Sequence, residues 1–169
     1  MRLFVAVPVP PSVDDALDGA ERELRAWARS ERVRLAWVPA GARHVTLRFV
    51  GDRTDGDDVV DAVERAAHAT AAPTLTLGDR VGLLGASAVV VPVAGAEAAA
   101  ATVSRALRAP SARFEGHVTV ARVRPRPVSP PPHVPVPTVA WVPESVDVIE
   151  SRPGGAPRYR TLASLPWGG

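Results

Sequence analysis

One pattern of alternating side chains occurs twice and limits the folds open to this chain. In Arg43-His44-Val45-Thr46-Leu47-Arg48-Phe49-Val50, an extended strand puts Val45, Leu47 and Phe49 on one face and His44, Thr46 and Arg48 on the other. Gly116-His117-Val118-Thr119-Val120-Ala121-Arg122-Val123 repeats the order of histidine, valine, threonine and apolar residue. Each copy closes a stretch that reads as strand, helix, strand. In the first half, Leu3–Val7 is a short apolar run ended by prolines. A helix capped by Ser12 is expected to follow, carrying Val13, Leu17, Ala20, Leu24 and Trp27 at helical spacing to about Ser30. Val33–Val38 returns to strand character, and a second helix is expected over about Asp57–Thr70, with aspartates where the helix dipole favours them. In the second half, Leu75–Leu77 and Ala88–Val93 read as strands and Glu97–Arg108 as a helix. The duplication predicts an α+β fold: two β-α-β lobes related by a pseudo-twofold axis, with mixed or antiparallel sheets flanking a central cleft.

A chain of 169 residues that is 46% hydrophobic can bury one core, so residues 1–169 are expected to form a single domain. Cysteine is absent, which excludes disulfides, thiolate metal sites and cysteine nucleophiles. No apolar run approaches the roughly 20 residues of a membrane span. Prolines and then Asp14 and Asp15 stand where a signal peptide would need its cleavage site, so a cytoplasmic protein is expected. The net charge is +2, and every one of the 20 basic groups is an arginine. Residues 1–84 sum to −2 and residues 85–169 to +4, which places the positive field toward the C-terminal half. Genomic base composition also yields lysine-free, alanine-rich sequence, so the arginine count by itself is weak evidence for nucleic-acid binding. Pro125–Pro137 holds seven prolines, which cannot donate to a ladder, and reads as an exposed loop. Val139–Val142, Val146–Glu150 and Arg158–Leu162 are the last strand candidates.

Three of the four histidines open the pattern His-x-Thr, at His44, His68 and His117. Random placement of this composition gives roughly 0.2 such pairs. In a strand the two side chains share a face, whereas a two-residue step in a helix turns them about 200° apart. His68 and Thr70 fall in a helical segment and are set aside. For either strand copy alone, a partly buried polar pair satisfied by its neighbours is an equally good explanation. Packed about a twofold axis, however, His44, Thr46, His117 and Thr119 would face one another across a cleft suited to in-line chemistry at phosphorus. One imidazole takes a proton from water, the other gives one to the leaving oxygen, and the threonine hydroxyls donate to phosphate oxygens. That scheme requires no metal. Metal binding fits less well, since neither strand histidine is followed by a second ligand. No serine elbow and no glycine-rich phosphate loop of standard type is present.

Arg122, Arg124 and Arg126 alternate after Thr119, and guanidinium suits phosphate oxygens. A flat strand sets Arg122 opposite His117, so it enters the cleft only through a bulge, a strong twist or a strand end. Parity puts Arg48 on the His44 face. A solvated strand edge is the competing explanation for all four arginines. Trp37 and Phe49 could each stack on a base, but Phe49 alternates with the core face, which leaves Trp37 the better candidate.

Several stretches together carry a family resemblance. They are Arg2–Val7, Trp37-Val38-Pro39 with His44–Gly51, Phe114 with His117–Arg122, Val148–Ser151, Tyr159 and Leu165-Pro166-Trp167. The chain resembles the RNA 2′,3′-cyclic phosphodiesterases of bacteria and archaea, historically called 2′-5′ RNA ligases, in the two-histidine (2H) phosphoesterase superfamily. The resemblance implies a bilobal fold and hydrolysis of RNA or nucleotide 2′,3′-cyclic phosphate ends to 2′-phosphates. By it, His44 is the proton donor and His117 the proton acceptor, Thr46 and Thr119 hold phosphate oxygens, and Arg122 binds substrate; Arg48, from its strand parity, and Trp37, from its stacking capacity, are further binding candidates. The implied partner is RNA with a cyclic phosphate end or a cyclic nucleotide, met by a monomer without cofactor, membrane or obligate protein partner. Two other functions fit the same residues: a non-catalytic module binding RNA ends or nucleotides, and a phosphodiesterase for a small cyclic phosphate such as ADP-ribose cyclic phosphate.

Overall fold

The computed structural model describes every residue except Thr54, Ser111 and Ala156. Its strands are β1 (Arg2–Pro8), β2 (Arg34–Trp37), β3 (His44–Asp52), β4 (Leu75–Leu77), β5 (Gly82–Leu84), β6 (Ala88–Ala94), β7 (His117–Arg124), β8 (Ala140–Trp141), β9 (Ser145–Ser151) and β10 (Tyr159–Pro166). Its helices are α1 (Pro11–Asp18), α2 (Glu21–Ser30), α3 (Asp57–His68) and α4 (Glu97–Ala106). The strands form one sheet in the order β10-β9-β1-β3-β7-β6-β4-β8, with β2 added against β7 and β5 against β6. Every pairing between these strands is antiparallel, and the sheet curls into a half-barrel. The expected α+β fold is observed, and its two halves are joined within this sheet.

The long first helix is in fact two. α1 begins at Pro11, whose fixed φ suits a first helical position, so Ser12 lies inside the helix and caps nothing. The chain leaves the helix at Gly19, a poor helix former, and starts again at Glu21.

One face of the sheet builds the main core. Leu3, Val5 and Val7 of β1, Val45 and Leu47 of β3, Val89 and Val91 of β6, and Val118 and Val120 of β7 are buried there with Leu17, Leu24, Val63 and Val103 from the helices. Each such side chain contributes about 1.5–3 kcal/mol over its exposed state. Phe4, Ala6 and Ile149 point to the opposite face, where they form a second small cluster with Tyr159. The proline-rich segment is less exposed than its composition suggests. Val134 and Val136 are buried in the main core, and the Val136 N–H donates to the Asp79 carbonyl at 2.9 Å. The Val128 and Ser129 amides donate to the Glu31 carboxylate at 2.7 and 2.9 Å. These bonds, led by that from Ser129, hold Glu31 below the usual carboxylate range. The segment is a strap fixed to the end of α2 and to the turn after β4, and neither anchor carries a histidine.

Candidate active site

β3 and β7 meet antiparallel at a single pair, Val45 opposite Val118, both fully buried. Continuing that register sets His44 beside Thr119 and Thr46 beside His117, all four on the face away from the main core. The flanking strands repeat the symmetry. Pro8, Val7 and Ala6 of β1 oppose His44, Val45 and Thr46, while Pro92, Val91 and Val90 of β6 oppose His117, Val118 and Thr119. A pseudo-twofold axis therefore passes between Val45 and Val118 and relates the two motifs.

Both imidazoles are anchored alike. Nδ1 of His44 lies 3.2 Å from the Ala42 carbonyl, and Nδ1 of His117 lies 2.7 Å from the Glu115 carbonyl, in each case two residues upstream. A carbonyl only accepts, so Nδ1 carries the hydrogen and Nε2 is left for the cleft. The His44 ring is further enclosed by Phe4, at 4.9 Å between centroids, and by the edge of Tyr159 at 5.4 Å. That burial pushes its pKa below the usual imidazole range. The Ala42 carbonyl opposes the shift, the charges of His117 and Arg122 reinforce it, and Asp147 opposes it, so all three charged groups lie within electrostatic reach of His44. Asp147 itself accepts hydrogen bonds from Ser145 Oγ at 3.0 Å and Ser164 Oγ at 2.7 Å.

Two matching bulges decide which further residues reach this face. The β1–β3 register slips between Val5 and Ala6, leaving Leu47 as an extra residue, and the β6–β7 register slips between Val89 and Val90, leaving Val120 extra. Past Val120 the buried positions change parity to Ala121 and Val123, which brings Arg122 to the histidine face by the bulge that the sequence requires of it. Past Leu47 the same step reverses two expectations. Arg48 pairs with the core-facing Val5, so it leaves the His44 face. Phe49 pairs with Phe4, lies 6.1 Å from its ring and is 73% exposed, so it belongs to the cleft rather than the core. Trp37 is not brought to the histidines either. It pairs with core-facing Ala121, packs against the main core and lies under the Arg43 guanidinium at 5.3 Å, so a stacking role does not fit its placement. His68 ends α3, apart from both motifs.

Arg43 had no signal in the sequence beyond its place before His44. Its side chain is fully buried and donates from Nε to the Val38 carbonyl at 3.0 Å, from Nη1 to the Asp14 carbonyl and carboxylate at 3.1 and 3.0 Å, and from Nη2 to Asp18 at 2.5 Å. Asp14 also accepts from the Gly41 N–H at 3.1 Å. The cluster ties the turn before β3, and with it the carbonyl that anchors His44, to α1. On the other strand, Gly116 performs the corresponding service. A Cβ there would lie 2.4 Å from the Val93 carbonyl oxygen, so only glycine lets the chain run this close to β6 ahead of His117. Asp147 was likewise unmarked by its sequence context, and Tyr159 was marked only as part of the family resemblance, since both arrive from strands far along the chain.

Where β3 diverges from β7, a groove of about 890 Å³ opens between its outer half, α4 and the segment before His117. Arg48, Arg105 and Arg113 line it together with Thr46, Phe49 and His117. Among the described residues, no three His, Cys, Asp or Glu side chains gather as a metal site, and no helix is long and apolar enough to cross a membrane.

No protein-family profile and no curated protein matches the chain. Solved structures do. TT0787 of Thermus thermophilus is 27% identical, with a TM-score of 0.69 over 100% of this chain and 99% of that one. E. coli LigT in its apo form is 20% identical, with a TM-score of 0.68 over 99% of this chain and 98% of that one. A structure described as a phosphoesterase is 22% identical, with a TM-score of 0.67 over 99% of both chains. E. coli LigT has also been solved with phosphate, 3′-AMP, ATP and NADP+. Over essentially its whole length, the chain has the fold of the two-histidine phosphoesterase superfamily.

Proposed function

We propose that this chain, acting as a cytoplasmic monomer without cofactor, hydrolyses 2′,3′-cyclic phosphate ends of RNA or nucleotides to 2′-phosphates. The observation that carries the proposal is the symmetric pair of imidazoles on adjacent strands, each with Nδ1 tied to a carbonyl and, among the described residues, no hydrogen-bond partner at Nε2. The phosphate and 3′-AMP held by E. coli LigT support a nucleotide phosphate as the ligand of this fold. With the cyclic phosphorus between the rings, His117 Nε2 takes a proton from water as its oxygen bonds to phosphorus. The P–O3′ bond breaks, and protonated His44 gives its Nε2 proton to O3′. One water is consumed, and the product carries a 2′-phosphate and a 3′-hydroxyl. Thr46 and Thr119 donate to the equatorial oxygens, and Arg122 offsets their charge.

The donor role asks that His44 be protonated, whereas burial in the free site favours its neutral form. The substrate supplies the missing charge. A phosphate anion between the rings stabilises the imidazolium, so binding itself arms His44.

The test is product analysis with a 2′,3′-cyclic nucleotide and an RNA ending in a cyclic phosphate. His44→Ala and His117→Ala are each expected to lose about 10²–10⁴-fold in kcat. EDTA is expected to leave the rate unchanged. Full activity in both variants, or a bound cyclic nucleotide that stays intact through prolonged incubation with the wild-type protein, overturns the proposal.

A further inference from the structure

Beyond the bulge at Val120, the histidine face of β7 carries Arg122, between the buried Ala121 and Val123, and then Arg124, which follows the buried Val123 and ends the strand. β2 runs antiparallel beside this part of the strand, and its Arg34 stands directly opposite Arg124. Residues so placed have side chains about 4.5–5.5 Å apart at Cβ, and like charges there are destabilising. Arg34, Arg122 and Arg124 are all exposed, and among the described residues none of them takes part in an ion pair. Several other arginines, including Arg25, Arg43 and Arg160, do have carboxylate partners. The fold therefore keeps an uncompensated cross-strand cation pair on the same face as its two histidines. A shared anion would turn that repulsion into attraction, and a phosphodiester offers oxygens to both guanidinium forks.

We propose that Arg34 and Arg124 form a second phosphate subsite, one that takes a backbone phosphodiester of a single-stranded oligonucleotide whose terminal phosphate lies between His44 and His117. The inference rests on the proposed function for the placement of the terminal phosphate. Arg124 lies roughly 16 Å beyond Thr119 along a strand rising about 3.3 Å per residue. One nucleotide held at the histidines does not span that distance, but a chain continuing to its 5′ side does. The subsite accordingly favours RNA ends over small cyclic phosphates.

Charge reversal at one position separates a binding role from a structural one. Arg34→Glu or Arg124→Glu replaces a repulsive pair with an attractive one, so each variant is expected to melt no lower than the wild type. Affinities are measured by fluorescence anisotropy with an unreactive RNA of about six nucleotides ending in a 3′-phosphate, with a nucleoside 3′-monophosphate as competitor. Each variant is expected to weaken oligonucleotide binding by about tenfold, equivalent to 1.4 kcal/mol, while mononucleotide affinity stays within about twofold. The slope of log affinity against log salt should fall by about 0.7 for the lost phosphate contact. Unchanged oligonucleotide affinity, or equal weakening toward both ligands, overturns the subsite. Because the readout needs no turnover, the two ideas fail separately. A wild-type protein that binds this way yet hydrolyses neither substrate overturns the proposed function alone. One that hydrolyses both without the differential effect overturns only the subsite.

Discussion

Arg43 shows how much of the candidate site depends on a residue that touches no substrate. Its guanidinium is sealed between Asp14, Asp18, the Val38 carbonyl and the Trp37 ring, and the turn it secures presents the Ala42 carbonyl to His44. Removing one partner of such a pair leaves an unpaired buried charge, here that of Asp14. Arg43→Ala is therefore expected to cost roughly 3–5 kcal/mol of stability, measured by urea denaturation. Lysine restores the charge but not the fork, since one ammonium cannot meet the same spread of acceptors. Arg43→Lys should fold, and should lose kcat while KM changes little, because the defect lies in the orientation of His44 Nδ1. A loss of stability with unaltered kcat would confine Arg43 to a structural role.

Among the elements, the bulges in β3 and β7 matter most. Each inserts one residue after its His-x-Thr motif and so exchanges the faces of the side chains that follow it, in β3 as far as a second slip at Val50. This gives a contrast between neighbours. Phe49→Ala removes a largely exposed ring from the cleft and is expected to raise KM for nucleotide substrates about tenfold, as loss of a base-stacking surface does. Arg48→Ala, on the other side of the strand but still on the groove wall, should raise mononucleotide KM less than Phe49→Ala does. Equal effects at both positions would contradict the parity assigned past Leu47. The same bulges mark the boundary of what the sequence made legible. The strands, the helical segments and the pairing of two His-x-Thr motifs follow from periodicity, which is local. The slip that carries Arg122 and Phe49 to the histidine face, and Arg48 off it, is set by the partner strands β1 and β6, whose register is not written in either motif. The burial within the proline strap is hidden for a related reason, because Val134 and Val136 sit among prolines with no periodicity to reveal it. Val134→Ala is expected to cost about 2 kcal/mol by thermal denaturation, while Val128→Ala, 96% exposed in the same segment, should be neutral.

At the scale of the whole molecule, His44 couples folding, ligand binding and pH. Its pKa in the folded chain lies below the ordinary value of about 6.5. Hence, between the two values, the unfolded chain binds more protons than the folded one. The stability that His44 contributes is thus fully present above about pH 6.5 and is lost as pH falls through the folded value. The proposed chemistry needs the opposite state, the imidazolium that burial disfavours. An anion in the cleft reconciles the two by raising the His44 pKa, and linkage then requires that the anion bind more tightly as pH falls. Sulfate is a suitable probe, since its own charge is constant over this range. The rise in melting temperature at a fixed sulfate concentration is expected to be larger at about pH 5.5 than at about pH 7.5. His44→Gln keeps a polar side chain that cannot titrate, and should markedly reduce that difference. A sulfate effect equal at both pH values in the wild type would mean that the anion does not sense the His44 proton, and the coupling of substrate charge to the donor would fall with it.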